Sequence, residues 1–225
     1  TAGSYTYAWS SNPAGFSSTA ANPTVSPTAT TTYTVTVTNS TCTATNSVVV
    51  SVNPRPAAAP SATVNPVCSG SNTSIAANAT GGTSPYTYQW NTSQTSAGFV
   101  ATPTTTVAVT NAYTVTVTDV NNCSIAATIN VNVTPLPVMT PIANQSVCIP
   151  ASGGSVALSA AAMTVGQTGA WSTITSPTGA VTFSAATAAN TNASTLSPIN
   201  TYTFRWTLTE NGCSNWTNTN VTVNE

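Results

Sequence analysis

Histidine and lysine are absent from this chain of 225 residues, and charge of either sign is scarce: two arginines and three acids give a net charge of -1. Charged residues make up 2% of the chain, against roughly 25% in an ordinary soluble domain. The shortage excludes most catalytic chemistry. General acid–base work draws on histidine, lysine or a tuned carboxylate, and the only carboxylates are Asp119, Glu210 and Glu225. A Ser-His-Asp triad cannot be assembled. Nucleic acid is excluded as a partner, since phosphate binding needs clustered cations and Arg55 and Arg205 stand 150 residues apart. No apolar run reaches the 18 residues that would span a bilayer, so no membrane insertion is expected. Without lysine, a lysine isopeptide staple is impossible. The expectation is a non-enzyme with no cofactor and no metal site.

Leucine is also short, at four residues against 24 valines. Low aliphatic content can signal disorder, but disorder pairs it with high net charge, and this chain is nearly neutral with five tryptophans and seven tyrosines. Valine, threonine and tyrosine suit the half-buried, pleated surface of a sheet. The expected class is all-β.

What the chain does contain is a repeat. Trp9, Trp90 and Trp171 are 81 and 81 residues apart, Tyr33, Tyr113 and Tyr202 are 80 and 89 apart, and Cys42, Cys123 and Cys213 are 81 and 90 apart. The surroundings match as well: Tyr5-Thr6-Tyr7-Ala8-Trp9 answers Tyr86-Thr87-Tyr88-Gln89-Trp90, and the Tyr-Thr-Val-Thr-Val-Thr run at 33–38 returns at 113–118. The third copy is looser, with Gly169-Ala170-Trp171 in place of the tyrosines and heavier aromatics at Tyr202, Phe204 and Trp206. Prolines at Pro54 and Pro56, and 81 residues on at Pro135 and Pro137, mark junctions stiffened by fixed φ. The expected domains are 1–54, 55–135 and 136–225, the first lacking about 27 residues at its front and hence its first strands.

Each full copy carries an early cysteine, Cys68 or Cys148, and a late one, Cys123 or Cys213. Their register predicts bridges Cys68–Cys123 and Cys148–Cys213, with the partner of Cys42 in the stretch the first copy lacks. A bridge closing such a loop contributes about 4 kcal/mol in the loop-entropy model and belongs to an oxidising compartment. Structural zinc would need Cys-x-x-Cys or histidine partners, which are missing.

Alternation with period two puts Tyr113, Val115 and Val117 on one face of a strand, and Ile129, Val131 and Val133 on the same face of its return. The turn residues Asp119-Val120-Asn121-Asn122 and Glu210-Asn211-Gly212 lie between. Short strands with a central tryptophan and a late tyrosine describe an immunoglobulin-like sandwich. The combination of early Cys-Ser-Gly, Tyr-x-Tyr-x-Trp, Thr-Tyr-Thr-Val-Thr-Val-Thr-(Asp/Asn), a cysteine and a closing Val-x-Val-x-Pro resembles the Ig-like and PKD-like repeats of giant secreted Bacteroidetes surface proteins, including gliding adhesins. The resemblance implies type IX export, an extracellular cell-surface location and display in tandem arrays. It departs in the third copy, where the Trp-to-Tyr spacing grows from 23 to 31.

Of the candidate contact residues, Trp9, Trp90, Trp171 and Trp206 are expected in the core. Trp216 is the expected surface contact, for a glycan or a protein. Asp119 with Asn121 and Asn122 has oxygen ligands at calcium-like spacing, but one carboxylate is thin for a divalent ion and a turn is the simpler reading. Arg205 and Glu210 are expected to pair at the surface. The leading expectation is a stalk or adhesin segment of a surface filament, about 100 Å long if strands of 8 to 10 residues rise 3.4 Å each, with neighbouring repeats or like subunits as partners. A fibre subunit completed by strand donation and accessory spacer domains of a secreted hydrolase are the alternatives.

Overall fold

The computed structural model describes residues 4–40, 42–150, 153–177, 179–197 and 199–225. It begins with β1 (Thr6–Asn12), β2 (Ser17–Ser18), β3 (Thr31–Thr38) and β4 (Thr43–Val50). The middle stretch supplies β5 (Pro56–Ala58), β6 (Ser61–Ala62), β7 (Val67–Cys68), β8 (Thr73–Ala76), β9 (Ala79–Gly81), β10 (Thr87–Trp90), β11 (Gly98–Ala101), β12 (Val109–Thr118) and β13 (Ser124–Thr134). The last stretch supplies β14 (Gln145–Cys148), β15 (Gly154–Ser159), β16 (Gln167–Thr175), β17 (Thr182–Phe183), β18 (Asn190–Leu196), β19 (Asn200–Glu210) and β20 (Cys213–Asn224). Among the described residues no helix is long and apolar enough to cross a membrane. The sheets run β2-β1-β3-β4, then β10-β12-β13-β7 with β11-β8-β6 and the pair β5-β9, then β14-β20-β19-β16 with β15-β18-β17. The fold is all-β, built of immunoglobulin-like repeats. By contacts the chain separates into two compact units, 1–61 with 75–99 and 113–129, and 62–74 with 100–112 and 130–225. The stretch 55–135, expected to be one domain, is divided between them, and β12 and β13 each contribute residues to both.

In the first unit, β1 and β3 pair antiparallel with Tyr7 opposite Val37 and Trp9 opposite Val35. β4 returns with Val48 opposite Tyr33. Opposite residues in an antiparallel pair share a face, so Tyr33, Val35, Val37, Val48 and Val50 line one side of this sheet. The sequence predicts that all five are partly uncovered. Val35, Val37 and Val50 are half-buried and Val48 is 53% exposed. Tyr33 differs: it is 5% exposed, because the Phe16 ring meets it edge-on at 5.4 Å. Farther along, Trp90, Phe99 and Tyr113 form a run of edge-to-face contacts at 5.2 and 5.9 Å, a geometry the ring quadrupoles favour. Val115 and Val117 are fully buried beside them. The Arg55 guanidinium donates through Nε to the Ser124 carbonyl at 2.8 Å.

In the second unit the core of the third repeat collects Leu158, Trp171, Ala193, Leu196, Tyr202, Phe204, Trp206, Val221 and Val223. Trp171 stands opposite Trp206 across β16 and β19, with ring centroids 5.3 Å apart. One of the missing tyrosines of the third copy has a packing reason. Gly169 lies beside the Trp206 ring, so the bulk that Tyr88 supplies on one strand is supplied here from the facing strand. Thr219 is buried opposite Phe204, and its hydroxyl donates to the Ala143 carbonyl at 2.8 Å, which removes the cost of an unpaired buried hydroxyl. The outward faces are tied by side-chain pairs across strands, such as Thr203 to Asn220 at 2.9 Å and Thr209 with Ser214 at 2.7 Å.

Candidate functional site

The early cysteines stand at equivalent places. Cys68 in β7 runs parallel to the end of β13 and faces Thr134, and Cys148 in β14 runs parallel to the end of β20 and faces Asn224. The residue after each donates its backbone N–H to the carbonyl of that partner, Ser69 to Thr134 at 2.8 Å and Ile149 to Asn224 at 3.1 Å. The late cysteines are equivalent as well, each just past a hairpin turn. Asn39 donates to the Cys42 carbonyl and Asp119 to that of Cys123, both at 3.0 Å, and Glu210 stands opposite Cys213.

This register overturns the bridges expected from spacing. Cys213 opens β20 and Cys148 faces Asn224 at its other end, so about 36 Å of strand at 3.3 Å per residue separates them. A disulfide needs Cα atoms within about 7 Å. The same length of strand lies between Cys123 and Thr134, the residue that Cys68 faces. Neither Cys68–Cys123 nor Cys148–Cys213 forms. Cys68 is instead bonded to Cys213, with Cα atoms 5.6 Å apart and a sequence separation of 145. The Asn215 side chain donates to the Pro137 carbonyl at 3.0 Å, which holds the start of β20 against the chain just past Thr134, where Cys68 lies. Cys123 and Cys148 form no disulfide among the described residues, the former half-buried and the latter exposed, and Cys42 is exposed.

Asp119 is 4% exposed and caps its turn. Oδ1 accepts from the N–H groups of Asn121 and Cys123, both at 2.9 Å, and Oδ2 from that of Thr83 at 3.0 Å. Asn122 adopts φ of 63° in the same turn, a conformation asparagine tolerates better than most residues. The carboxylate is thus engaged with backbone donors, and no group of three or more metal-ligating side chains gathers among the described residues.

The repeated tryptophans share one device. The indole Nε1 of Trp9 donates to the Ala20 carbonyl at 3.0 Å, that of Trp90 to Ser96 at 3.0 Å and that of Trp171 to Ala189 at 3.2 Å. Trp90 and Trp171 are buried, Trp206 too, while Trp9 is half-buried in its single sheet. Trp216 is 55% exposed. The Arg205 guanidinium lies over its ring, 5.0 Å from the centroid, and donates to the Asn218 side chain at 3.1 Å. Arg205 does not pair with Glu210, because residues five apart on one strand point to opposite faces; Glu210 accepts from Gln167 at 3.0 Å. Arg205 stands opposite Asn218 and Trp216 opposite Thr207, so the indole, guanidinium and amide share one face of the β19–β20 pair and form a polar-aromatic patch.

Residues 61–95 match the family described as SprB repeat. No curated protein matches the chain. Among solved structures, the chain is similar to the N-terminal eight Ig domains of Down Syndrome Cell Adhesion Molecule, at 14% identity over 88% of this chain and 28% of that one, with a TM-score of 0.43. It thus spans little more than a quarter of that structure. It is also similar to the I-band fragment I67–I69 of titin, at 10% identity over 98% of this chain and 88% of that one, TM-score 0.43. Extracellular domains 3–5 of Drosophila OTK align at 11% identity over 99% and 86%, TM-score 0.32.

Proposed function

We propose that this chain is a non-catalytic stalk segment of an extracellular, surface-displayed protein, built from three successive Ig-like repeats, and that it serves an adhesin or gliding filament exported by a type IX route. The observation that carries the reading is the SprB-repeat match at 61–95, within a unit that the sequence repeats at 81-residue intervals. The near absence of charge and the hydroxyl and amide pairs on the outer strand faces suit a spacer that must stay soluble without ionic contacts. The patch of Trp216, Arg205 and Asn218 is the contact surface for a glycan or protein, since an exposed indole face stacks on apolar ring faces while the guanidinium and amide supply hydrogen bonds. Immunogold labelling of intact cells with an antibody raised against residues 55–225 tests the assignment. Label outside the envelope that disappears on protease shaving is expected; label confined to the cell interior overturns it.

A second reading, a fibre subunit completed by strand donation, is favoured by the first repeat, where β4 pairs with β3 on one side and is exposed along nearly its whole length. Such an edge is a template for another strand. Light scattering on residues 1–225 at micromolar concentration separates the two, with monomers expected for the stalk and regular filaments for the donated strand.

A further inference from the structure

Building on the tandem-repeat reading above, we infer that the Cys68–Cys213 bond is one rung of a repeating covalent ladder, in which the early cysteine of each repeat bonds the hairpin cysteine of the repeat that follows it. Cys68 belongs to the second repeat and Cys213 to the third, and the bond between them is in place. Whatever geometry brings these two together is coded in features each repeat carries. The early cysteine sits parallel to the end of its repeat's last strand, as Cys68 faces Thr134 and Cys148 faces Asn224. The late cysteine sits at the hairpin turn that starts the last strand, at the other end of the repeat. A bond inside one repeat is ruled out by the length of that strand, whereas a bond from the end of one repeat to the hairpin turn of the next needs only the short link spanned by Pro135 and Pro137.

The rule assigns partners to two cysteines, Cys123 and Cys148, that form no disulfide among the described residues. Cys148 is exposed at the end of β20, and its partner is the hairpin cysteine of a repeat of this type packed after Glu225. Cys123 stands at the hairpin of the second repeat, and its partner is the early cysteine of the first, in a Val-Cys strand that runs parallel to Val52 and Asn53, the counterparts of Val133 and Thr134. Each rung forms from two thiols that lose two protons and two electrons to a disulfide-bearing oxidant, which leaves as its dithiol. An oxidising compartment supplies such an oxidant.

The test is non-reducing peptide mapping of the exported parent polypeptide after alkylation of its thiols, with a protease that does not depend on lysine. Cys68 linked to Cys213, Cys148 linked to a hairpin-cysteine peptide from beyond residue 225, and Cys123 linked to an early Val-Cys peptide are expected. Recovery of Cys148 or Cys123 as alkylated thiols, or of Cys148 linked to Cys213, overturns the ladder. In the Cys213→Ser variant one additional alkylated thiol is expected, at Cys68, with Cys148 still protected; exposure of Cys148 instead overturns it. Loss of the rungs with surface labelling retained would sink this inference alone, and interior labelling with rungs intact would sink the stalk reading alone.

Discussion

A Cβ on Gly169 would overlap Cζ2 of the Trp206 ring, so the third repeat closes its core around the absence of a side chain. No real side chain approaches that closely, and Met163 Sδ lies 2.9 Å from the same point. Gly169→Ala is therefore expected to cost about 3 kcal/mol or more, at the upper end for overpacking. The denaturant midpoint of the third repeat, followed by tryptophan fluorescence, measures it. Gly169→Ala combined with Trp206→Leu is expected to cost less than the sum of the two single changes, since the neighbours share one space.

The tryptophans separate by burial. Trp90→Ala removes a side chain that is 1% exposed along with its bond to Ser96, and is expected to cost about 3–5 kcal/mol. Trp216→Ala removes a side chain that is mostly in water and is expected to stay within about 0.5 kcal/mol of the parent. Thermal melts of the two variants side by side check the contrast. A glycan- or protein-binding assay on Trp216→Ala checks the patch, with loss of binding at unchanged stability expected.

Asp119→Ala deprives three backbone N–H groups of their acceptor, and a loss of about 1–3 kcal/mol is expected. Because the carboxylate oxygens are already engaged by Thr83, Asn121 and Cys123, the melting temperature of the unaltered chain is expected to be the same in millimolar calcium and in chelator. An upward shift with calcium would show that the turn opens to take an ion.

With so few charges, stability is expected to change little between low and molar sodium chloride, since screening acts on charges and the outer faces are joined by neutral hydroxyl and amide pairs. Chemical denaturation at the two salt concentrations checks this. A midpoint that moved by a large fraction of its value would overturn this expectation.

The strands that could be read from the sequence were those with one face buried. Alternation at Tyr113, Val115 and Val117 is a direct imprint of burial, and the structure buries all three. Trp206 was expected inside from its phase with Tyr202 and Phe204, and Trp216 at the surface from its place after a cysteine; the structure buries the first and leaves the second exposed. The disulfide was not. Its partners are set by which strand end β7 and β14 lie against, and two-residue and four-residue parallel strands are too short for any periodicity to announce. Spacing alone pairs the cysteines within a repeat because it contains no direction. Gly169 carried a usable signal, since losing a tyrosine where heavier aromatics appear one strand away is what conserved volume looks like.

The Cys68–Cys213 bond also changes what happens when the chain is pulled. Tension entering before Cys68 and leaving after Cys213 crosses at the sulfurs, so the segment between them carries no load even if its strands come apart. Bypassing 145 residue steps withholds about 490 Å of slack at 3.4 Å per residue. A tether wired in this way stretches briefly and then stiffens, which lets it transmit force over distance without paying out its own length.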